Sequence, residues 1–65
     1  MDRDQDFIPL ECVFLLATER ACLVEIDDWE IWFPLSQIDD MPDAHEGEVI
    51  TIHVPEWLAH KKGLI

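Results

Sequence analysis

The sequence predicts a mainly β domain with a small α+β fold: a four-stranded antiparallel meander or small barrel closed by a short C-terminal helix. First, 49% of the 65 residues are apolar, which is enough for one hydrophobic core. Second, short runs of β-branched and aromatic residues alternate with turn residues between positions 8 and 54. Third, the last eleven residues carry helix start and stop signals. We expect residues 7–65 to form one domain behind a disordered N-terminus, residues 1–6.

The first two strands are predicted to form a hairpin. Residues 10–17 are densely apolar and lack helix caps, the segment Thr18-Glu19-Arg20 interrupts them, and residues 21–26 resume the apolar pattern. If the turn is tight, facing residues have numbers that add to about 39. Cys22 then lies opposite Ala17 and beyond disulfide reach of Cys12. We therefore expect two free thiols.

A second turn at Asp27-Asp28 leads to a third strand at residues 30–33. Pro34 cannot donate a ladder hydrogen bond, so this strand should be short, lie at an edge or end there. Residues 36–38 fit a single helical turn, and residues 39–47 form a loop by composition. Residues 48–53 alternate as the last strand, with Ile50, Ile52 and Val54 on one face.

The C-terminal segment has the best-defined helix signals. Pro55 suits the first helical position, Glu56 and the two lysines complement the helix dipole, and Gly63 suits a left-handed C-terminal position. Leu64 should then fold back on Leu58 or Ala59. We expect Trp57 and Leu58 to pack against the sheet.

Charge is the strongest compositional signal. Fifteen acidic residues and four Lys or Arg give a net charge of −11, and residues 21–60 include ten acids without a Lys or Arg. A field of this sign repels nucleic acid and anionic membranes and attracts basic protein surfaces. The alternative is that the acidity only keeps a small domain in solution.

The residue content argues against catalysis and against metal or cofactor binding. Ser36 is the only serine and has no activating context, and the two cysteines lie in apolar strands. The histidines lack zinc-site spacing, the acidic loop lacks calcium-loop spacing, and two glycines cannot build a phosphate loop. The aromatic residues have no basic groove beside them, so direct nucleic-acid binding is not expected. We predict a non-enzymatic protein without cofactor or metal.

The expected partner-binding residues lie at the second turn and in the long loop, because these segments are rich in acids and turns usually display binding residues. Trp29, inside the first cluster, is either an interface anchor or a core residue. The apolar run at residues 12–17 leaves open a contact surface, including one for self-association, or a wholly buried strand. The expected partner-binding set is Asp27, Asp28, Trp29, Glu30, Asp39, Asp40, Asp43, Glu46 and Glu48.

From about Thr18 to its end, the sequence resembles small uncharacterised bacteriophage and prophage proteins. The shared motifs are W-x-P-x-S-Q, here residues 32–37, and V-P-E-W-L-A-x-x-K-G-L, here residues 54–64. Members often have Lys after the first proline, where this chain has Leu35. The resemblance implies a phage origin and no assigned activity, and the missing lysine speaks against a nucleic-acid role.

Two functional expectations follow. In the first, the protein is an inhibitor that covers a basic surface of a host nucleic-acid-binding machine, such as a CRISPR effector, nuclease or polymerase, in the manner of a DNA mimic. In the second, it is an accessory subunit, or a homo-oligomer, in a phage replication, recombination or assembly apparatus. The acidic N-terminus is unlike a signal peptide and no apolar run reaches the length of a membrane span. Both expectations therefore place the protein in the bacterial cytoplasm.

Overall fold

The computed structural model describes residues 6–65. Strands β1 (Phe7–Ala17), β2 (Ala21–Ile26) and β3 (Trp29–Pro34) are followed by a 3-10 turn (Leu35–Gln37), strand β4 (Val49–Pro55) and helix α1 (Glu56–Lys61). The predicted four antiparallel strands and short C-terminal helix are confirmed. The segment expected to be disordered lies outside the described residues except for Asp6, whose carbonyl accepts a 2.8 Å hydrogen bond from the Glu56 N–H.

The four strands form one open sheet in the order β3-β2-β1-β4. Strands β1 to β3 are a meander, and β4 returns to the other side of β1, pairing from Phe7↔Pro55 to Val13↔Val49. This is the strand order of a Greek key. The connection between the 3-10 turn and β4, residues 38–48, is eleven residues long and can reach either edge of the sheet. It therefore lets β4 pair with β1 instead of continuing the predicted meander beside β3.

Both hairpins form where the sequence predicts them. In the first, Ala17 faces Cys22, and the Thr18 Oγ1 accepts a 3.2 Å hydrogen bond from the Ala21 N–H. In the second, Ile26 faces Trp29, and the two turn residues have positive φ angles, 52° at Asp27 and 68° at Asp28. Positive φ at both positions defines the type I′ turn, whose twist matches that of the flanking strands.

The core lies on one face of the sheet. Its largest fully buried side chains include Phe33, Val24, Ile52 and Val54. The alternation predicted for β4 is confirmed, since Ile50, Ile52 and Val54 are buried while the residues between them are exposed. Ile38 and the partly buried Met41 and Ala44 bring the connection before β4 over the same core.

Helix α1 packs on the core through Leu58 and Ala59, which are 4% and 0% exposed. The expectation that Trp57 also packs against the sheet is wrong, because Trp57 is 49% exposed. Successive helical residues are rotated by about 100°, so Trp57 lies about 150° from the middle of the Leu58–Ala59 face. Of the two large apolar side chains predicted to pack against the sheet, Trp57 and Leu58, only Leu58 does so.

The helix ends as predicted, at a left-handed glycine. Gly63 has a φ of 77°, its N–H donates to the His60 carbonyl at 3.0 Å, and the Leu64 N–H donates to the Ala59 carbonyl at 2.9 Å. These two bonds are those of a Schellman motif. Leu64 folds back against the core, as expected.

Candidate functional site

The sheet face opposite the core, here called the outer face, is the candidate binding surface within residues 6–65. Strand alternation assigns side chains to it: in β2, Cys22 and Val24 are buried in the core, so Leu23 and Glu25 point the other way. The apolar side chains of helix α1 and the loop that are buried or partly buried, and Leu35 of the 3-10 turn, pack on the core side instead. The helix therefore does not cover the second face of β1.

An apolar row crosses three strands of the outer face. Leu23 on the central strand β2 pairs with Trp32 on one side and with Leu16 on the other. Trp32 is 45% exposed, Leu16 is 44% exposed and Leu23 is half-buried. The neighbouring pair Val13↔Val49 extends the apolar surface towards β4, where Val49 is 61% exposed. The second face of β1 is thus a partly exposed apolar surface, and the wholly buried strand is excluded.

Carboxylates border this row on its hairpin side. Glu25 and Glu30 face each other directly across β2 and β3, and Glu25 also faces Val13 on β1. Directly opposite residues have Cβ atoms about 5 Å apart, so the two carboxylates repel each other. Glu11, two residues before Val13, lies on the same face. A shallow recess of about 350 Å³ is lined by Glu11, Cys12, Val13, Glu25, Ile26, Asp27 and Val49.

The first predicted cluster stays together along the chain but is divided between the two faces. Asp27 and Asp28 form the exposed tip of the hairpin, and Glu30 points to the outer face. Trp29 points to the core side, where it pairs with Ile26. It is nevertheless 73% exposed, which excludes the core role. Trp29 lines a groove of about 360 Å³ with Ile31, Lys62, Gly63 and Leu64.

The second predicted cluster lies at the other edge of the sheet. Asp39 pairs with His53 of β4, its N–H donating to the His53 carbonyl at 2.9 Å. Glu48 closes the turn before β4, since its Oε1 accepts a 3.0 Å hydrogen bond from the His45 N–H. The sheet order therefore places Asp39, the first of the loop acids, beside β4 and the hairpin acids beside β3. Glu48 lies next to β1, since its carbonyl accepts a 2.8 Å hydrogen bond from the Phe14 N–H. The loop acids in question are Asp39, Asp40, Asp43, Glu46 and Glu48.

Some residues of the outer face were missed by the sequence reasoning, although a signal for them existed. The two-residue turn at Asp27-Asp28 makes facing numbers add to about 55, which places Glu25 opposite Glu30. Period-two alternation then places Trp32 and Leu23 beside them on the same face. The first hairpin, whose facing numbers add to about 39, likewise places Leu16 opposite Leu23. The position of Glu11 could not be obtained in this way, because a register shift between Phe14 and Leu16 interrupts the β1–β2 pairing. The missed residues are Glu11, Leu16, Leu23, Glu25 and Trp32.

The two cysteines are buried and free, as expected. The pKa of the Cys12 thiol is raised to about 11, mainly by burial and to a smaller extent by the charges of Cys22 and Glu11. Burial also raises the pKa of the Cys22 thiol. Both thiols are therefore protonated at neutral pH and are poor nucleophiles.

Within residues 6–65, no three His, Cys, Asp or Glu side chains are arranged to hold a metal ion. None of the helices in this part of the chain has the length and apolar character needed to span a membrane. No protein family, curated protein or solved structure matches the chain.

Proposed function

We propose that this protein is a non-enzymatic acidic binding module that covers a basic surface of a host nucleic-acid-binding protein and thereby inhibits it. Bound there, its carboxylates would occupy the Lys and Arg side chains that otherwise contact phosphates. The bacterial host and the cytoplasmic location are part of this proposal, and they rest on the resemblance to phage proteins. The charge argument itself requires only a basic protein surface.

The β2–β3 hairpin carries the proposal. Residues 25–30 include four carboxylates and no cation. Two of them, Asp27 and Asp28, have left-handed backbone conformations that cost free energy in any residue with a side chain. The other two, Glu25 and Glu30, repel each other across the strands. Backbone strain and charge repulsion both lower the folding stability of the free domain. Residues that carry such a cost are typical of binding sites, because contact with a partner can offset it.

The dimensions of the domain limit how much of a nucleic-acid site it can cover. Its longest extent is 36 Å, and duplex DNA carries about 21 phosphates over that length. Asp39 of the loop acids lies at the other edge of the sheet. The hairpin side presents five carboxylates, those of Glu11, Glu25, Asp27, Asp28 and Glu30. A single contact surface therefore matches a short stretch of one DNA strand. We assign the contact to the hairpin acids and assign long-range attraction to the loop acids.

A second candidate is favoured by the exposed apolar row of Leu16, Leu23 and Trp32. Exposed apolar surface on a small domain is typical of subunit contacts. The protein would then be an accessory subunit or homo-oligomer in a phage replication, recombination or assembly apparatus. Salt separates the two candidates, since it screens charge contacts and strengthens apolar ones.

The test is capture of proteins from a bacterial lysate by the immobilised domain at low and at high salt. The proposal predicts that nucleic-acid-binding proteins are retained at low salt, are released at high salt and are displaced by added duplex DNA. The matched control is a domain with Glu25→Gln and Glu30→Gln, which keeps side-chain size and removes two charges. Retention that increases with salt, or retention of the same proteins by the control, would favour the accessory-subunit candidate.

A further inference from the structure

We infer that the outer face is the docking surface for an amphipathic, Lys- and Arg-rich segment of the partner protein. This inference rests on the proposed function and deepens it, because it names the face and the chemistry of the contacting segment. The observation behind it is the juxtaposition of the apolar row Leu16–Leu23–Trp32 with the carboxylates of Glu11, Glu25 and Glu30.

The outer face does not have the composition of a solvated sheet face. An antiparallel sheet with one face in water normally carries polar side chains on that face. Here the register places Trp32, Leu23 and Leu16 side by side, and Val13 with Val49 beside them. Trp32, Leu16 and Val49 keep between 44% and 61% of their surface exposed. These side chains leave apolar surface for another apolar element to cover.

The carboxylates on the outer face determine which kind of molecule can bind there. In a two-fold dimer the same patch meets itself, so the outer faces of two copies would bring their Glu11, Glu25 and Glu30 carboxylates together. Each copy also carries a net charge of −11. Nucleic acid and anionic lipid surfaces are repelled by the same field. A cationic protein segment is the occupant that satisfies both the apolar row and the carboxylates.

The width of the apolar row determines the length of the apolar stretch that the partner segment must have. Adjacent strands lie about 4.8 Å apart, so the apolar row spans about 10 Å across three strands. This matches two turns of an amphipathic helix, about 10.8 Å. The recess lined by Glu11, Glu25 and Asp27 lies beside the row. Apolar side chains of the segment would contact the row while Lys or Arg side chains at its margin reach the recess.

The experiment uses three synthetic 18-residue peptides and the isotope-labelled domain. The first peptide is a Leu/Lys amphipathic helix, the second replaces Lys by Glu, and the third replaces Leu by Ser. Amide shifts in NMR spectra locate the contact and give its affinity. Two matched variants are Trp32→Ala on the outer face and Trp57→Ala on helix α1, since both tryptophans are about half exposed.

The inference predicts that only the Leu/Lys peptide binds tightly and that it shifts the amides of Leu16, Leu23 and Trp32. We expect Trp32→Ala to weaken its binding about tenfold and Trp57→Ala to change it less than about twofold. Leu16→Thr is a second outer-face variant, to be used if Trp32→Ala lowers the melting temperature. Glu25→Gln with Glu30→Gln should weaken binding while leaving the apolar row intact.

Three outcomes would overturn the inference. Equal binding of the Ser/Lys and Leu/Lys peptides, with shifts confined to the hairpin turn, would show a contact made by charge alone and would leave the proposed function standing. If the Leu/Glu peptide binds as tightly as the Leu/Lys peptide, the contact does not require positive charge on the segment. A dimer of the free domain in sedimentation, abolished by Trp32→Ala, would make a second copy the occupant. The proposed function itself is judged separately, by the salt-dependent capture from lysate.

Discussion

At the scale of single residues, the hairpin tip combines strain and charge. Asp28 occupies the second central position of a type I′ turn with a φ of 68°. Glycine is the preferred residue at such a position, since only glycine adopts positive φ without a steric penalty from Cβ. Aspartate is tolerated there at some cost in folding free energy. The sequence thus keeps a carboxylate where the fold alone would favour glycine.

Asp28→Gly should stabilise the domain by about 0.5–1 kcal/mol, because it relieves the left-handed strain. For a domain of this size, the gain corresponds to a rise in melting temperature of roughly 2–8 °C. The control is Asp43→Gly, which removes one loop charge at a position without positive φ. A thermal melt in which the two variants gain equally would show that charge relief, and not backbone strain, is responsible.

The two buried thiols give a pH-dependent prediction. Their raised pKa values mean that little thiolate exists in the folded protein at pH 8, so iodoacetamide should label neither Cys12 nor Cys22 until the domain is unfolded. Mass spectrometry of the denatured, unreduced protein should then show two alkylated cysteines. A disulfide would instead leave both cysteines unmodified.

The same shifts predict how stability changes at alkaline pH. A thiol whose pKa is raised from 9.0 to about 11 on folding loses its proton first in the unfolded state. The contribution of this thiol to the free energy of unfolding should therefore be constant below about pH 9. Between about pH 9 and 11 the free energy of unfolding should fall as the pH rises. A Cys12→Ala variant should show a smaller fall, measured by urea denaturation at several pH values.

At the scale of elements, the packing of helix α1 on the sheet depends more on Leu58 than on Trp57. Leu58→Ala should cost about 2–5 kcal/mol because Leu58 is 4% exposed and faces the core. Trp57→Ala should cost less than about 1.5 kcal/mol because Trp57 remains half in solvent. Urea denaturation of both variants checks the order. A larger loss at Trp57 would mean that this side chain, and not Leu58, anchors the helix.

Those features of the fold that depend on residues close together in the sequence could be predicted from the sequence. Both hairpins, the alternation of β4 and the Schellman end of α1 depend on neighbouring residues, and all were predicted. The pairing of β4 with β1 was not, because it depends on where a long loop crosses. For the candidate site, the density of acids at Asp27 and Asp28 was visible in the sequence. Its association with Trp32 and Leu16 followed from the two hairpin registers, but its association with Glu11 required the register of β1 beyond the shift between Phe14 and Leu16.

At the scale of the whole molecule, the central claim is that the hairpin side of the sheet contacts a basic protein surface. The acids are divided between the hairpin beside β3 and the loop beside β4. Both groups contribute to the net charge of −11 and thus to long-range attraction. Glu25 and Glu30 of the hairpin adjoin the exposed apolar row, whereas Asp39 of the loop pairs with His53 at the far edge of the sheet. The two groups can therefore be separated by changing each one while holding the total charge equal.

The most direct test is the affinity of a captured partner for two double charge reversals, Asp27→Lys with Asp28→Lys and Asp39→Lys with Asp40→Lys. Each raises the net charge by the same four units, from −11 to −7, and circular dichroism verifies that each remains folded. We predict that the hairpin reversal weakens binding at least about tenfold, since like charges placed in a contact cost several kcal/mol, while the loop reversal mainly slows association. If both variants bind as tightly as the parent protein, the acidic residues serve solubility alone and the proposed contact is wrong.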